Sequence, residues 1–111
     1  MKEGDVVLAL LPQADGTVKR RPAVALREMP PFTDFLVCGV STQLHQKVEN
    51  FDELIAPSDA DFTSSGLKSE SLIRLGFLTV LSRKDIIGSI GSVSAERHRR
   101  LLEKLSWYLT D

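Results

Sequence analysis

Residues Val18–Leu26 read VKRRPAVAL. Three consecutive cations, Lys19, Arg20 and Arg21, lead into Pro22 and then into the apolar run Ala23–Leu26. A short uninterrupted run of small and β-branched residues reads as a buried strand. The cations before it belong in water. Proline has no N–H to give a ladder, which places Pro22 at the start of that strand or on an edge. The stretch therefore fixes an arginine at the mouth of a rigid strand.

Working outward, Asp5–Leu11 (DVVLALL) is β-branched and apolar, a first strand, and Asp15-Gly16 marks the turn that follows. Asp34–Thr42 (DFLVCGVST) is a third strand and reads as central. Phe51–Ala56 (FDELIA) alternates apolar and acidic residues, so Phe51, Leu54 and Ile55 are expected to face inward. Pro57–Gly66 (PSDADFTSSG) is a polar loop of a length often associated with function. Glu70–Ser82 (ESLIRLGFLTVLS) is a long strand in which Gly76 marks a bulge or bend. Gly88–Ser94 (GSIGSVS) reads as a glycine-spaced connector. Ser94 is then placed as a helix N-cap, with Glu96 in the first turn. His98, Leu101, Leu102, Leu105, Tyr108 and Leu109 recur at helical spacing, with Arg97, Arg99, Arg100, Glu103 and Lys104 on the polar face. Several short strands followed by one helix predict a mainly β (α+β) domain, a small curled barrel or half-barrel with the helix over one side.

The 111 residues, 42% apolar and 26% charged, suit one globular domain spanning 1–111. No apolar run approaches the roughly 18 residues that span a bilayer. The N-terminal apolar segment, about six residues ending at Pro12, is shorter than a signal-peptide core. The single Cys38 excludes an internal disulfide framework and agrees with a reducing compartment, so a cytoplasmic location is expected. Net charge is −1, but it is unevenly spread: +1 over residues 1–47, −5 over 48–62 and +3 over 63–111. That distribution allows either one basic face for a polyanion or a mixed, solvated surface.

The residues exclude several chemistries. Two distant histidines and one cysteine offer no metal-ligand spacing, so no metal and no cofactor are expected. Asp59 and Asp61 read as a loop face, His45 as solvated and His98 as structural. Cys38, inside an apolar strand, reads as an inert thiol. Gly88–Gly91 (GSIG) matches a short RNA-binding loop of KH type, but it lacks the flanking helices that such a module needs. What remains is an arginine that begins one strand and the hydroxyls of Ser41 and Thr42 that end another. An arginine can hold a phosphate in bidentate fashion, and a hydroxyl can donate to an oxygen on which charge builds. The pair suits phosphodiester cleavage, or phosphate binding.

In this order, GDVV (Gly4–Val7), RRPAVAL (Arg20–Leu26), VCGVSTQ (Val37–Gln43), SGLKSESLIRLGFLTV (Ser65–Val80) and IGSVSAERHRRLLEKL (Ile90–Leu105) make the chain resemble the MazF/PemK family of toxin–antitoxin endoribonucleases over almost its whole length. The resemblance implies a small curled antiparallel SH3-like barrel of CcdB/PemK type with a C-terminal helix. It implies a homodimer that cleaves single-stranded RNA without metal, through attack of the 2′-hydroxyl, and a cognate antitoxin whose disordered tail folds across the RNA groove. The family's catalytic arginine falls on Arg21 and its catalytic threonine on Ser41, a serine here. Lys19, Arg20, Thr42, Gln43 and Lys68 are the RNA-binding residues it suggests. Asp15, one position away from the glutamate that some members carry, is the possible general base. Two other readings are a non-enzymatic gyrase inhibitor of CcdB type and a catalytically silent relative acting as an interaction module. CcdB grips its target through a C-terminal tryptophan. Trp107, within the predicted helix beside its apolar stripe, is expected to pack.

Overall fold

In the computed structural model, which describes residues 1–111, the chain forms one antiparallel sheet and two helices. The strands are β1 (Asp5–Pro12), β2 (Val18–Met29), β3 (Asp34–Ser41), β4 (Glu53–Ile55), β5 (Ser71–Leu81) and β6 (Ile86–Ser92). The helices are the short α1 (Phe62–Ser65) and the C-terminal α2 (Ala95–Thr110). The sheet order is β4-β5-β3-β2-β1-β6, so β3 is central as its sequence suggests. The predicted curled sheet with a C-terminal helix is the observed one.

Alternate residues of β1 and β2 enter two different cores. Val6, Val24 and Leu26 join Leu75, Leu101 and Leu105 beneath α2, while Val7, Ala9, Ala23 and Ala25 join Phe35, Val37 and Leu81 on the other face. A strand buried on both sides must be apolar at every position, which explains the unbroken run after Pro22.

Pro22 lies within β2, an interior strand, and not at its start. It pairs with Leu8 of β1, but the β2–β3 ladder begins only at Ala23–Gly39. The missing N–H falls just outside that second ladder, where it leaves no gap.

Three other expectations are corrected. The glycine-spaced run is strand β6, paired along β1, and Gly91 lets α1 approach it: a Cβ on Gly91 would collide with the carbonyl of Ser64, as one on Gly66, at the end of α1, would with that of Ile90. In FDELIA, Ile55 is buried, but Phe51 and Leu54 are only half-buried while Asp52 and Glu53 are buried. Arg97, assigned to the polar helix face, is 5% exposed. It donates to Glu53 at 2.9 Å, to Asp61 at 2.8 Å and to Asp59 at 3.2 Å. Arg100 and Lys104 also reach Glu53. The Pro57–Gly66 loop thus supplies a buried ion cluster that fastens α2 to the sheet.

Ser94 caps α2 by accepting the Arg97 N–H at 3.1 Å, and His98 Nε2 donates to the Leu26 carbonyl at 2.8 Å, a structural role. The core under α2 ends at Leu105. Trp107, Tyr108 and Leu109 therefore stand 62%, 62% and 69% exposed, and Trp107 does not pack as expected.

Candidate functional site

The site is built where the β2–β3 ladder opens. Its first rung is Ala23–Gly39. Beyond it the two strands are no longer paired with each other, and Arg21 of β2 and Ser41 of β3 both line the space that opens there. Strand alternation puts Arg21 on the face of Ala23 and Ala25, the face that carries the core of Phe35, Val37 and Leu81.

The opposite wall comes from β5. Cys38 pairs with Leu78, but Gly39 pairs with Arg74, so Leu75, Gly76 and Phe77 bulge out of the β3–β5 ladder. Bulges commonly re-aim side chains beside active sites. Here the ring of Phe77 folds against Gly39, where a Cβ would sit only 3.2–3.6 Å from its carbons. Gly39 is needed for that close approach. The bulge also turns Arg74 toward the same space.

The result is a cavity of about 260 Å³ lined by Arg21, Ser41, Thr42 and Gln43, together with Gln13, Gln46, Arg74 and Phe77. Leu11, Gly39 and Val40 complete its floor. Neither Arg21 nor Arg74 has an ion-pair partner, whereas Arg97 has three. Two unneutralised guanidinium groups in one cavity are a place for an anion. The Ser41 Oγ accepts the Gln43 N–H at 3.0 Å, which orients the hydroxyl and leaves its proton to be donated. No Asp, Glu, His, Lys, Cys or Tyr lines the cavity, so its only ionisable groups are the two arginines.

Of the residues singled out in the sequence, Arg21, Ser41, Thr42 and Gln43 are brought together. Lys19 is two residues from Arg21 on the same face of β2, opposite Leu11, beyond the lining. Arg20 pairs with Leu10 and points to the other face. Lys68 is exposed in the connection between α1 and β5. Asp15 is not brought to the cavity. It closes the β1–β2 turn, accepting the Thr17 hydroxyl at 2.6 Å and the Thr17 N–H at 2.9 Å, and these bonds hold its carboxyl below the usual range.

Sequence reading missed Arg74, Phe77, Gln13 and Gln46. A signal existed for Arg74: it is the one charge inside the apolar strand Ser71–Leu81. No group of three or more His, Cys, Asp or Glu side chains is arranged to hold a metal ion. Cys38 is fully buried, and burial pushes its thiol up to about 12, far from a nucleophile's range.

A family model described as PemK-like, MazF-like toxin of type II toxin–antitoxin systems matches residues 2–109. Among solved structures, the Mycobacterium tuberculosis toxin MazF-mt6 has the same fold, with a TM-score of 0.70, 20% sequence identity and 96% of each chain covered. None of the curated proteins matches the sequence.

Proposed function

The chain belongs to the PemK-like, MazF-like toxins of type II toxin–antitoxin systems, and from that premise we propose that it is a metal-independent, sequence-specific endoribonuclease acting on single-stranded RNA. A toxin of this family has a cognate antitoxin as partner.

The observation that carries the reading is the convergence of Arg21, Arg74 and Ser41 on one cavity without any carboxylate to neutralise them. A phosphodiester held there meets two guanidinium forks and one hydroxyl. The 2′-oxygen of the preceding ribose attacks phosphorus, and the bond to the 5′-oxygen breaks. A 2′,3′-cyclic phosphate and a free 5′-hydroxyl result. Charge rises on the non-bridging oxygens in the transition state, and fixed donors aimed at those oxygens stabilise it more than the ground state. Arg21, beyond the last rung of a ladder buried on both faces, is held by a stiff backbone, so less freedom is lost on reaching the phosphate. Gln13, Gln43 and Gln46 supply amides that can read base edges, and Phe77 a ring on which a base can stack.

The active species is a homodimer. Trp107, Tyr108 and Leu109 form, with Val48, Phe51 and Leu78, an apolar groove of about 670 Å³ that a second copy would cover. The same exposed tryptophan favours the second reading, a non-enzymatic inhibitor that grips its target through the end of α2.

The experiment is incubation of the purified protein with mixed RNA and with the matching DNA in excess EDTA, followed by end analysis. Cut RNA bearing 2′,3′-cyclic phosphate, with DNA intact, is the expected result. Cleavage that needs added magnesium overturns the mechanism, and no cleavage by a folded dimer favours the second reading.

A further inference from the structure

We propose that Asp52 is a positioning residue for the cleavage cavity: its buried carboxylate ties the segment carrying Gln43 and Gln46 to the β5 bulge that carries Phe77 and follows directly on Arg74. The inference rests on the cavity being the site of cleavage.

Asp52 is 4% exposed and has no ion-pair partner. Both of its oxygens are used. Oδ1 accepts the Leu75 N–H at 3.0 Å, and Oδ2 accepts the Val48 N–H at 2.9 Å. Leu75 is the first residue of the bulge and has no rung partner in β3. The ladder with β4 also stops short of it, at Glu53–Ile73. The carboxylate therefore accepts an N–H of a residue that has a rung partner in neither neighbouring strand. On the other side, the Asp52 N–H donates to the Val48 carbonyl at 3.0 Å, closing the turn Val48–Asp52 from both ends.

Two parts of the cavity's rim lie outside the regular ladders of β1, β2 and β3. Gln43 and Gln46 stand on the segment between β3 and β4, outside any strand, and Phe77 on a bulge. One carboxylate joins the two. A carboxyl side chain suits this use: each of its two oxygens accepts one N–H, whereas an amide of the same shape offers a single acceptor oxygen. A buried charge held by backbone N–H groups alone is costly, and fixing these walls relative to Arg21 and Ser41 explains what it does.

The test uses the full chain with Asp52→Asn and, as a second variant, Val48→Pro, which deletes the loop donor and leaves the Asp52–Leu75 bond. Lys47 has φ −59° and ψ 127°, a conformation that a following proline accepts. Two quantities are read. The first is amide hydrogen exchange of the free protein. The expected result is faster exchange at Gln43, Gln46, Gly76 and Phe77 together, by tenfold or more, with α2 unchanged. The second is single-turnover cleavage at a temperature where each variant is fully folded. Asp52→Asn should cut on the order of tenfold slower, a loss larger than its loss of affinity for RNA carrying a 2′-deoxyribose at the cleaved position. Glu53→Gln, which perturbs the buried ion cluster, is the control for lost stability and should cut at the parental rate.

Faster exchange confined to Val48 and Leu75, or folded variants that cut like the parent, overturns the inference. If Asp52→Asn does not fold, Val48→Pro decides alone. If the parent does not cleave RNA, the endoribonuclease reading fails while the exchange measurement still decides whether Asp52 couples the two walls.

Discussion

Arg21 of β2 and Ser41 of β3 each lie two residues beyond the Ala23–Gly39 rung, where the ladder has ended, and both line the same cavity. The hydroxyl is oriented by the Gln43 N–H at 3.0 Å. Ser41→Ala removes one neutral donor and should slow cleavage by about 10²-fold. Ser41→Thr keeps the hydroxyl and narrows χ1, so it should cut at least as fast as the parent. Single-turnover rates of the two variants on one RNA check this.

Lys19 and Arg20 are neighbours with different consequences, because strand alternation sends only Lys19 to the face of Arg21. Lys19→Ala should weaken RNA binding and reduce the slope of log K against log salt by about 0.7, as one lost phosphate contact on a single strand does. Arg20→Ala should leave that slope unchanged. Titrations at several salt concentrations separate them.

The cavity is lined by two arginines and by no carboxyl, imidazole, amine or thiol that could serve as a general base. On the proposed mechanism the attacking 2′-hydroxyl would lose its proton to solvent base. The logarithm of the single-turnover rate should rise with pH with a slope of about one across the neutral range. Were Asp15 the base, the Thr17 hydrogen bonds that lower its pKa would keep it ionised throughout that range, and the profile would be flat.

Arg97 is structural. Burial alone would raise the carboxyls of Glu53 and Asp61, but hydrogen bonds from Arg100 and Lys104 to the first, and from Arg97 to the second, win and hold both below their ordinary values of 4.5 and 3.8. Groups depressed on folding add stability that is complete above those values and is lost as pH falls through the lower, folded ones. Urea midpoints should thus be level from pH 7 to about 5 and fall below about 4. Arg97→Ala leaves buried carboxylates unpaired and should cost about 3–5 kcal/mol at neutral pH.

Trp107→Glu places a charge in the apolar groove at the end of α2. Light scattering should show the parent at about twice the 12.3 kDa chain mass and the variant as a monomer.

Much of this architecture was legible because its causes are local. The unbroken run after Pro22 reports a strand buried on both faces, Ser94 with Glu96 reports a helix start, and Gly76 reports the bulge. The convergence of Arg21 and Ser41 was partly legible, through the residue types and the family pattern. Arg97 was misread because period alone assigns a charged residue to water, and only the fold brings Glu53, Asp59 and Asp61 to it. Asp52 and Arg74 were missed for a similar reason. Arg74 left one signal, a lone charge in an apolar strand, but its place opposite Gly39 and the reach of Asp52 to Leu75 depend on pairing between strands, which no spacing within one strand encodes.

The most direct measurement is single-turnover cleavage of one RNA, in excess EDTA, by the parent and by folded Arg21→Ala and Arg21→Lys. The account predicts a cyclic-phosphate product from the parent and a rate for Arg21→Ala lower by at least the 10²–10³ typical of a lost transition-state donor. Arg21→Lys should recover little, since an ammonium lacks the planar fork. An Arg21→Ala protein that cuts as fast as the parent would contradict it.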